Sequence, residues 1–191
     1  MKSLLATAAL LALAAPAVAA PETYVLDPSH SQILFSYDHL GYSTTWGMFS
    51  GFDGTIQFDS EDPAQSSVTV SFPVRTMLTG WEERFTHFMT ADFFDAAEDE
   101  MVTFTSTSIE VTGEDTANIT GDLTLNGVTA PVTLAAQLNK AGDHPMMQTP
   151  WLGFDATTTL IRSEWGLGLF APFVGDEVEV RISIEAMKPA E

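Results

Sequence analysis

The stretch from Gln32 to Asp59, QILFSYDHLGYSTTWGMFSGFDGTIQFD, constrains the fold more than any other part of the chain. Apolar and polar residues alternate through most of it, a period of two that is typical of half-buried antiparallel strands. The first strand places its aromatic residues and a histidine on one parity, at Ile33, Phe35, Tyr37 and His39. Gly51 and Gly54 interrupt the second strand and predict bends that let a sheet curl. A curled sheet with that parity facing inward would enclose an apolar tunnel with a polar tip.

The remainder of the chain continues the strand pattern, with one exception. Strands are predicted near residues 24–26, 68–74, 102–111, 119–125, 132–138, 151–161 and 178–186. Asn126-Gly127 predicts a tight hairpin turn, and residues 140–150 are predicted to form a loop. The exception is the segment 80–95, in which Trp81, Phe85, Phe88 and Met89 recur at helical spacing. About eight long strands with one short helix predict an all-β, eight-stranded antiparallel barrel, with a β-sandwich as the alternative.

Residues 1–19 predict a secretory signal peptide. A positive start at Lys2 precedes an apolar run at 4–15, and Ala17-Val18-Ala19 is a small-x-small cleavage site. The run is too short to span a membrane. We therefore expect cleavage after Ala19, a mature domain of residues 20–191, and a location in the periplasm or outside the cell. Because the chain has no cysteine, that domain must be held together by core burial.

The charge balance excludes several partners. The chain has 26 acidic and 7 basic residues and a formal net charge of −19. A nucleic-acid-binding surface requires a basic stripe, and the same deficit of cations disfavours attraction to an anionic membrane. We predict no nucleic-acid partner and no stable membrane insertion. The excess acid is interpreted as an aid to solubility, with an acidic face for a cationic partner as the alternative.

The sequence shows no constellation typical of catalysis or metal binding. The four histidines, at positions 30, 39, 87 and 144, have no metal-ligand spacing, and no cysteine could assist them. No GxSxG elbow, phosphate loop or dinucleotide fingerprint is present. We therefore assign no catalytic residue, no metal ligand and no cofactor.

Three polar residues are candidates for a binding role. His39 would lie at the barrel mouth and contact the polar end of a ligand, or be a structural histidine bonded to a backbone carbonyl. Arg84 and His87 lie three residues apart and share a helix face. They would form a polar collar for a headgroup, or instead serve as a structural ion pair or as a cap to the barrel. The aromatic residues could line a tunnel or simply fill the core.

Several segments together resemble the bacterial YceI-like family. They are HLGYSTTWGMFSGFDGTIQFD, RFTHFMTADFFD, VTFTSTSIEV, ITGDLTLNGVTAPVTL and VEVRISIEA, and they span nearly the whole mature chain in order. The resemblance implies an exported, lipocalin-like barrel with an elongated apolar tunnel for an isoprenoid lipid, such as a polyprenyl quinone, or another long-chain lipid. A homodimer is compatible with the family. The ligand-binding residues predicted from parity and resemblance are Phe35, Tyr37, His39, Trp46, Phe49, Phe72, Arg84, His87, Phe88, Phe93, Phe104 and Phe154.

Three functions follow from these observations. The first is a non-enzymatic carrier or store for an isoprenoid lipid. The second is an enzyme that modifies an amphiphile, with His39 or His87 as the base. The third is a stress-related barrel with a solid core that acts through a protein partner.

Overall fold

The computed structural model describes residues 20–190, so the predicted signal peptide lies outside the described residues. The strands in chain order are β1 (Glu22–Leu26), β2 (Gln32–His39), β3 (Ser43–Phe49), β4 (Asp53–Phe58), β5 (Ser67–Pro73), β6 (Met101–Val111), β7 (Thr116–Leu125), β8 (Val128–Asp143), β9 (Pro150–Ile161) and β10 (Glu177–Met187). One α-helix, α1 (Glu82–Phe88), lies between β5 and β6, and short 3₁₀ turns occupy Pro63–Gln65, Val74–Thr76 and Arg162–Trp165.

The strands close into an eight-stranded antiparallel barrel, as predicted. From β4 to β10 each strand pairs with the next along the chain. β10 then pairs with β2 over Glu179–Ser183 and with β1 at its end, where Ala186 faces Leu26. Because β1 also pairs with β4, the ring is complete. Ten strand segments make eight barrel positions, since β1 and β2 continue one another and so do β3 and β4.

The breaks within these two long strands lie where glycine and short polar side chains take over from the alternation. Gly51 has φ of 75° between β3 and β4, a conformation that costs glycine little, which confirms the predicted bend. Between β1 and β2, the Asp27 amide still donates to the Glu185 carbonyl oxygen at 2.8 Å. The Ser31 hydroxyl donates to the Asp27 carbonyl oxygen at 2.7 Å. The first long strand therefore bends without leaving β10.

Two of the predicted connections can be compared directly with the structure. Asn126 and Gly127 both have positive φ, 51° and 72°, and join β7 to β8 as the predicted hairpin turn. The prediction of a loop over 140–150 is wrong for its first four residues and for its last, Pro150. A register shift between Leu138 and Lys140 lets β8 continue to Asp143, which pairs with Pro150. Only residues 144–149 connect the strands.

The helix is shorter than the segment that predicted it. Trp81 is extended, with φ −153° and ψ 122°, and precedes the first helical residue. Its side chain is 58% exposed. Phe85, Phe88 and Met89 pack against the buried core, as their spacing predicts. Three of the four predicted apolar residues therefore pack inward, two of them within α1 and Met89 directly after it.

Most of the buried apolar residues in the described part of the chain fall into two clusters. The larger combines residues of β1, β3, β4, β5, β6, β9 and β10 with the segment after β5, where Val74 and Met77 are buried. The smaller contains Val132, Trp165 and Leu167. Among residues 20–190, no helix combines the length and apolar character needed to cross a bilayer.

Candidate functional site

The barrel encloses a cavity of about 960 Å³, near the upper end of the range of about 300 to 1,000 Å³ typical of ligand pockets. Every strand from β2 to β10 contributes to its wall, chiefly through apolar side chains of the inward parity. β10 supplies Val178, Val180, Ile182 and Ile184, which at about 3.3 Å per residue span roughly 20 Å of strand. The interior is therefore an elongated apolar tunnel and not a solid core.

The two ends of the tunnel differ in chemistry. The helix end is the one that carries α1, the β2–β3 turn (40–42) and the β9–β10 connection (162–176); His39, Arg84 and His87 line the wall there. The far end carries the β4–β5 connection (59–66) and the β6–β7 turn (112–115), and its lining includes Ser60, Ser66, Glu114, Asp115 and Thr116. The predicted single polar tip is wrong, because polar groups line both ends. Among the described residues that line the tunnel, basic side chains occur only at the helix end.

The tunnel stays hollow although its wall contains many phenylalanines, because two rings lie over glycines. Phe35 pairs with Gly47 across β2 and β3. A Cβ on Gly47 would lie 2.6 Å from Cε1 and 2.8 Å from Cε2 of the Phe35 ring. A Cβ on Gly121 would lie 2.5 Å from Cζ of Phe104. Both separations are shorter than a carbon–carbon contact of about 3.5 Å, so each ring occupies space that only glycine leaves free at the wall.

A ladder of aromatic rings continues from that wall towards the core. Phe35 lies 5.5 Å from Phe49, and Phe49 lies 5.1 Å from Phe72, measured between ring centroids. Phe72 in turn lies 4.9 Å from Phe52. Such tilted contacts fix the ring positions. They give this side of the tunnel a preformed apolar surface.

The side chains at the helix end make both structural and cavity contacts. The Arg84 guanidinium donates from Nη1 to the Thr79 carbonyl oxygen at 3.0 Å and lies 5.7 Å from the centre of the Trp81 ring. His87 Nε2 lies 3.3 Å from a carboxylate oxygen of Asp92. Phe93 contacts the His87 ring edge-on at 5.1 Å. Arg84 and His87 therefore bond to separate partners and not to each other. Both also line the tunnel.

His39 differs from these two residues. Its backbone bridges Val174, and its carbonyl oxygen accepts the Tyr42 amide at 3.0 Å. Its imidazole makes no hydrogen bond to any residue that the structure describes. The structural alternative, a ring bonded to a backbone carbonyl, is therefore not what the structure contains. The imidazole is exposed at the mouth and available to a ligand.

Eleven of the twelve residues predicted to contact a ligand line the cavity, and Trp46 does not. On β3 the inward parity belongs to Ser43, Thr45, Gly47 and Phe49. Trp46 has the opposite parity and is 49% exposed on the outer surface. The prediction that Trp46 lines the tunnel is wrong, because it followed from the aromatic character of Trp46 and not from its parity in the strand.

Sequence reasoning missed Arg162, which holds the wall of the helix end in place. Its Nε donates to the Gly175 carbonyl oxygen at 2.8 Å, and its Nη2 donates to that of Val174 at 2.9 Å. Its Nη1 donates to the carbonyl oxygens of Leu167 and Leu169. Burial lowers the pKa of the guanidinium. The only sequence signal is that Arg162 and Glu164 stand just before the uncharged run 165–175.

Trp165, also missed, lines the cavity and is 2% exposed. Its carbonyl oxygen accepts a hydrogen bond from Asn126 Nδ2 at 2.8 Å. Its indole Nε1 is buried and has no hydrogen-bond partner among the described residues. Because buried donors are almost always paired, this N–H is a candidate contact for an acceptor atom of a bound ligand.

One cluster outside the tunnel brings together groups that could hold a metal ion. Asp27, His30 and Glu185 offer ligand atoms within 4.8 Å of one another, an association that the sequence spacing did not indicate. His30 Nδ1 lies 2.6 Å from a carboxylate oxygen of Asp27. This hydrogen bond to Asp27 raises the pKa of His30. Burial raises the pKa of the Asp27 carboxyl, but hydrogen bonds from His30 and Ser29 outweigh burial and leave that pKa lowered. Asp27 and His30 are already paired with each other, and Glu185 Oε2 accepts a hydrogen bond from Trp151 Nε1 at 2.8 Å.

Comparison with known proteins shows similarity to one protein family over most of the chain. A profile of the YceI-like domain matches residues 24–186. Protein YceI of Escherichia coli O17:K52:H18 (strain UMN026 / ExPEC) is 39% identical over 185 residues, which cover 95% of this chain and 94% of that protein.

Two solved structures share the fold. The crystal structure of Burkholderia cenocepacia BcnA superposes with a TM-score of 0.75 and 24% identity, covering 84% of this chain and 98% of that one. A polyisoprenoid binding domain from Saccharophagus degradans, implicated in plant cell wall breakdown, gives a TM-score of 0.62 at 15% identity, covering 87% and 98%.

Proposed function

The chain belongs to the YceI-like family, and from that premise we propose that it is a non-enzymatic lipid-binding protein. Its ligand is an isoprenoid lipid, such as a polyprenyl quinone, or a similar long-chain amphiphile. It carries or stores this ligand in the periplasm, which it reaches by way of the signal peptide predicted at residues 1–19. The shared fold with the polyisoprenoid binding domain from Saccharophagus degradans supports the ligand class.

The observation that carries this function is the elongated apolar tunnel of about 960 Å³. A long hydrocarbon tail is poorly soluble in an aqueous compartment, and its burial contributes roughly 0.8 kcal/mol for each methylene-sized unit. A closed barrel can dedicate its interior to such a tail, because its own backbone groups are all paired within the wall. The third function considered above, a barrel with a solid core, is not supported by this cavity.

The polar groups at the helix end fit a headgroup that accepts hydrogen bonds. His39, Arg84 and His87 can all donate, and they lie where a tail inside the tunnel would end. A carbonyl or hydroxyl group is the expected partner. The far end, with Glu114 and Asp115, offers carboxylate oxygens, which accept hydrogen bonds and so do not suit a carbonyl headgroup. The headgroup is therefore proposed to lie at the helix end.

Hydrogen bonding within the chain supports binding over catalysis. The one place among the described residues where a serine, a histidine and an aspartate meet is Ser29, His30 and Asp27. There the Ser29 hydroxyl and the Asp27 carboxylate both contact Nδ1 of His30, at 3.0 and 2.6 Å. A relay needs the two partners on opposite ring nitrogens. None of the three residues lines the tunnel.

The test is the identity of whatever fills the tunnel. Protein purified natively from the periplasm should release a long-chain isoprenoid lipid on organic extraction, identified by mass spectrometry. Ala156 lies on the inward parity and lines the tunnel, whereas its neighbour Thr157 is exposed on the outer face. Ala156→Phe should therefore carry far less lipid than the wild type, and Thr157→Phe should serve as the matched control.

Two results would contradict lipid binding in the tunnel. One is equal lipid recovery from Ala156→Phe and Thr157→Phe, when circular dichroism shows both variants folded. The other is a wild-type protein that contains no long-chain lipid and takes up none from detergent micelles containing a polyprenyl quinone.

A further inference from the structure

Large apolar side chains are exposed mainly at one end of the barrel. Thirteen are exposed among the described residues, and ten of these lie at the helix end. The three others, Val111, Met146 and Met147, belong to the far end. The most exposed aromatic residues at the helix end are Tyr42 at 89%, Phe173 at 76%, Trp81 at 58% and Phe170 at 54%. Scattered exposed residues need no explanation, but a concentration of this kind marks an interaction surface.

Seven of these ten residues come from three segments, 40–42, 78–81 and 169–173, which we call the apolar rim. The segments are joined around one opening. Val174 bridges His39 beside the first segment, and Leu78 exchanges backbone hydrogen bonds of 3.0 and 2.7 Å with Met48. Phe170 lies 6.5 Å from Phe93, between ring centroids. Because His39, Trp81 and Phe170 all line the tunnel, the apolar rim surrounds its mouth.

The apolar rim is also free of charge. Asp, Glu, Lys and Arg make up 17% of the chain, yet none occurs in its three segments. The cations nearest to it are engaged with the protein itself, Arg84 with the Thr79 carbonyl oxygen and Arg162 with the carbonyls of the 167–175 segment. Acidic residues flank it at Asp38, Glu82, Glu83, Asp92 and Asp176. The surface therefore offers aromatic contact without a positive charge.

We infer that the apolar rim docks onto the surface of a zwitterionic lipid bilayer. Tryptophan and tyrosine favour the interface between headgroups and acyl chains, and phenylalanine adds apolar area there. The partner must cover an opening, and a bilayer is a surface from which an apolar tail can enter that opening without crossing water. The formal charge of −19 and the acidic flanks oppose an anionic surface, because such a surface attracts basic segments and repels acidic ones.

This inference rests on the proposed function, because docking would serve to load or release the lipid. The two can nevertheless be tested separately. Docking can be measured with vesicles that contain no ligand, and ligand binding can be measured in detergent without vesicles. A protein that binds lipid from micelles but ignores vesicles would overturn the docking alone.

The experiment is co-sedimentation with vesicles, combined with tryptophan fluorescence. Vesicles of phosphatidylcholine are compared with vesicles in which roughly one third of the lipid is phosphatidylglycerol. Trp81 and Trp46, both exposed near the mouth, should shift to shorter emission wavelengths on docking. The double variant Tyr42→Ser/Phe173→Ser removes two exposed side chains that do not line the tunnel. Met146→Ser/Met147→Ser, at 82% and 62% exposure, is the matched control at the far end.

We expect the wild type and the far-end variant to bind phosphatidylcholine vesicles equally, and binding to weaken when phosphatidylglycerol is added. The rim variant should bind on the order of tenfold less tightly, with unchanged folding and unchanged ligand uptake from micelles. The inference is overturned if no vesicle is bound, or if both double variants lose binding equally. It is also overturned if the rim proves to join two copies of the chain, seen as a dimer in sedimentation velocity that only Tyr42→Ser/Phe173→Ser dissociates.

Discussion

Replacement of Gly47 by alanine tests whether glycine in the wall keeps the tunnel open. The new Cβ would lie 2.6 and 2.8 Å from two atoms of the Phe35 ring. Ordinary contact between carbon atoms needs about 3.5 to 4.0 Å, so the ring must move by roughly 1 Å or more. The atoms in the way belong to the tip of a side chain and not to backbone. The ring can therefore swing, and the space beside it is the tunnel.

The substitution should cost little stability and noticeable affinity. A displaced ring costs about 1 to 3 kcal/mol through overpacking, and the loss of glycine flexibility in the unfolded chain returns about 0.4 to 1 kcal/mol. In the tunnel, exclusion of two methylene-sized units of a ligand at about 0.8 kcal/mol each removes roughly 1.6 kcal/mol of binding free energy. That corresponds to an affinity lower by about fifteenfold.

The assay is titration of the ligand-free protein with a fluorescent long-chain probe, together with thermal unfolding. Gly153→Ala is the matched control, because a Cβ there meets nothing within 4 Å. We expect Gly153→Ala to bind the probe as the wild type does. If Gly47→Ala binds equally well while remaining folded, the Phe35 ring has moved elsewhere and the account of the open tunnel is wrong.

Three further changes test individual contacts. Arg162→Lys should lower Tm by several degrees, because the lysine cannot replace hydrogen bonds to four carbonyl oxygens, a loss of about 1 to 3 kcal/mol of stability. Backbone amides over 167–175 should also exchange hydrogen faster. Unchanged exchange would contradict the role of Arg162 in holding that segment. Trp165→Phe removes packing atoms from a buried cluster but also removes an indole N–H that is buried without a partner. The loss of ligand-free stability should therefore be smaller than the roughly 3 to 5 kcal/mol typical of truncating a buried aromatic side chain to alanine, and a loss of that full size would contradict an unpaired N–H. His30→Gln should lower Tm below about pH 6.5, the ordinary pKa of histidine. The difference should shrink as pH rises through the raised pKa of His30, since only the protonated ring adds a positive charge to its hydrogen bond with Asp27. The lowered pKa of Asp27 adds stability above about pH 3.8 that is lost in stronger acid, so a difference that grows in alkali would contradict the ion pair.

The barrel could be predicted from sequence because its signals are local. Alternation from Val178 to Ala186 predicts β10, and Asn126-Gly127 predicts the turn between β7 and β8, since a two-residue hairpin needs positive φ at both positions. The closure of the ring could not be predicted in this way. It depends on β10 pairing with β2 along one part and with β1 along another. That arrangement joins residues more than a hundred positions apart.

Residues of the candidate site could be predicted where strand parity decides which side chains face the tunnel. They could not be predicted where a side chain bonds to backbone groups. Phe35 and Phe49 line the tunnel because their positions in β2 and β3 share the inward parity, and the same rule excludes Trp46. Arg162 bonds to carbonyl oxygens, which every residue possesses, so no residue type in the sequence identifies its partners. The unpaired N–H of Trp165 could be recognised only once its surroundings were known.

The hollow interior also links ligand binding to folding. Side chains that face the tunnel lack packing partners on one side and lose the dispersion contacts that a filled core provides, and no disulfide compensates, because the chain has no cysteine. A ligand that occupies the tunnel supplies those contacts and binds only the folded state. At a free concentration a hundred times its Kd it would add about 2.7 kcal/mol of stability, or roughly 5 to 10 °C in Tm for a domain of this size. A barrel built in this way would therefore gain stability from its ligand instead of from a larger core, and extraction of the lipid should lower Tm without unfolding the wall.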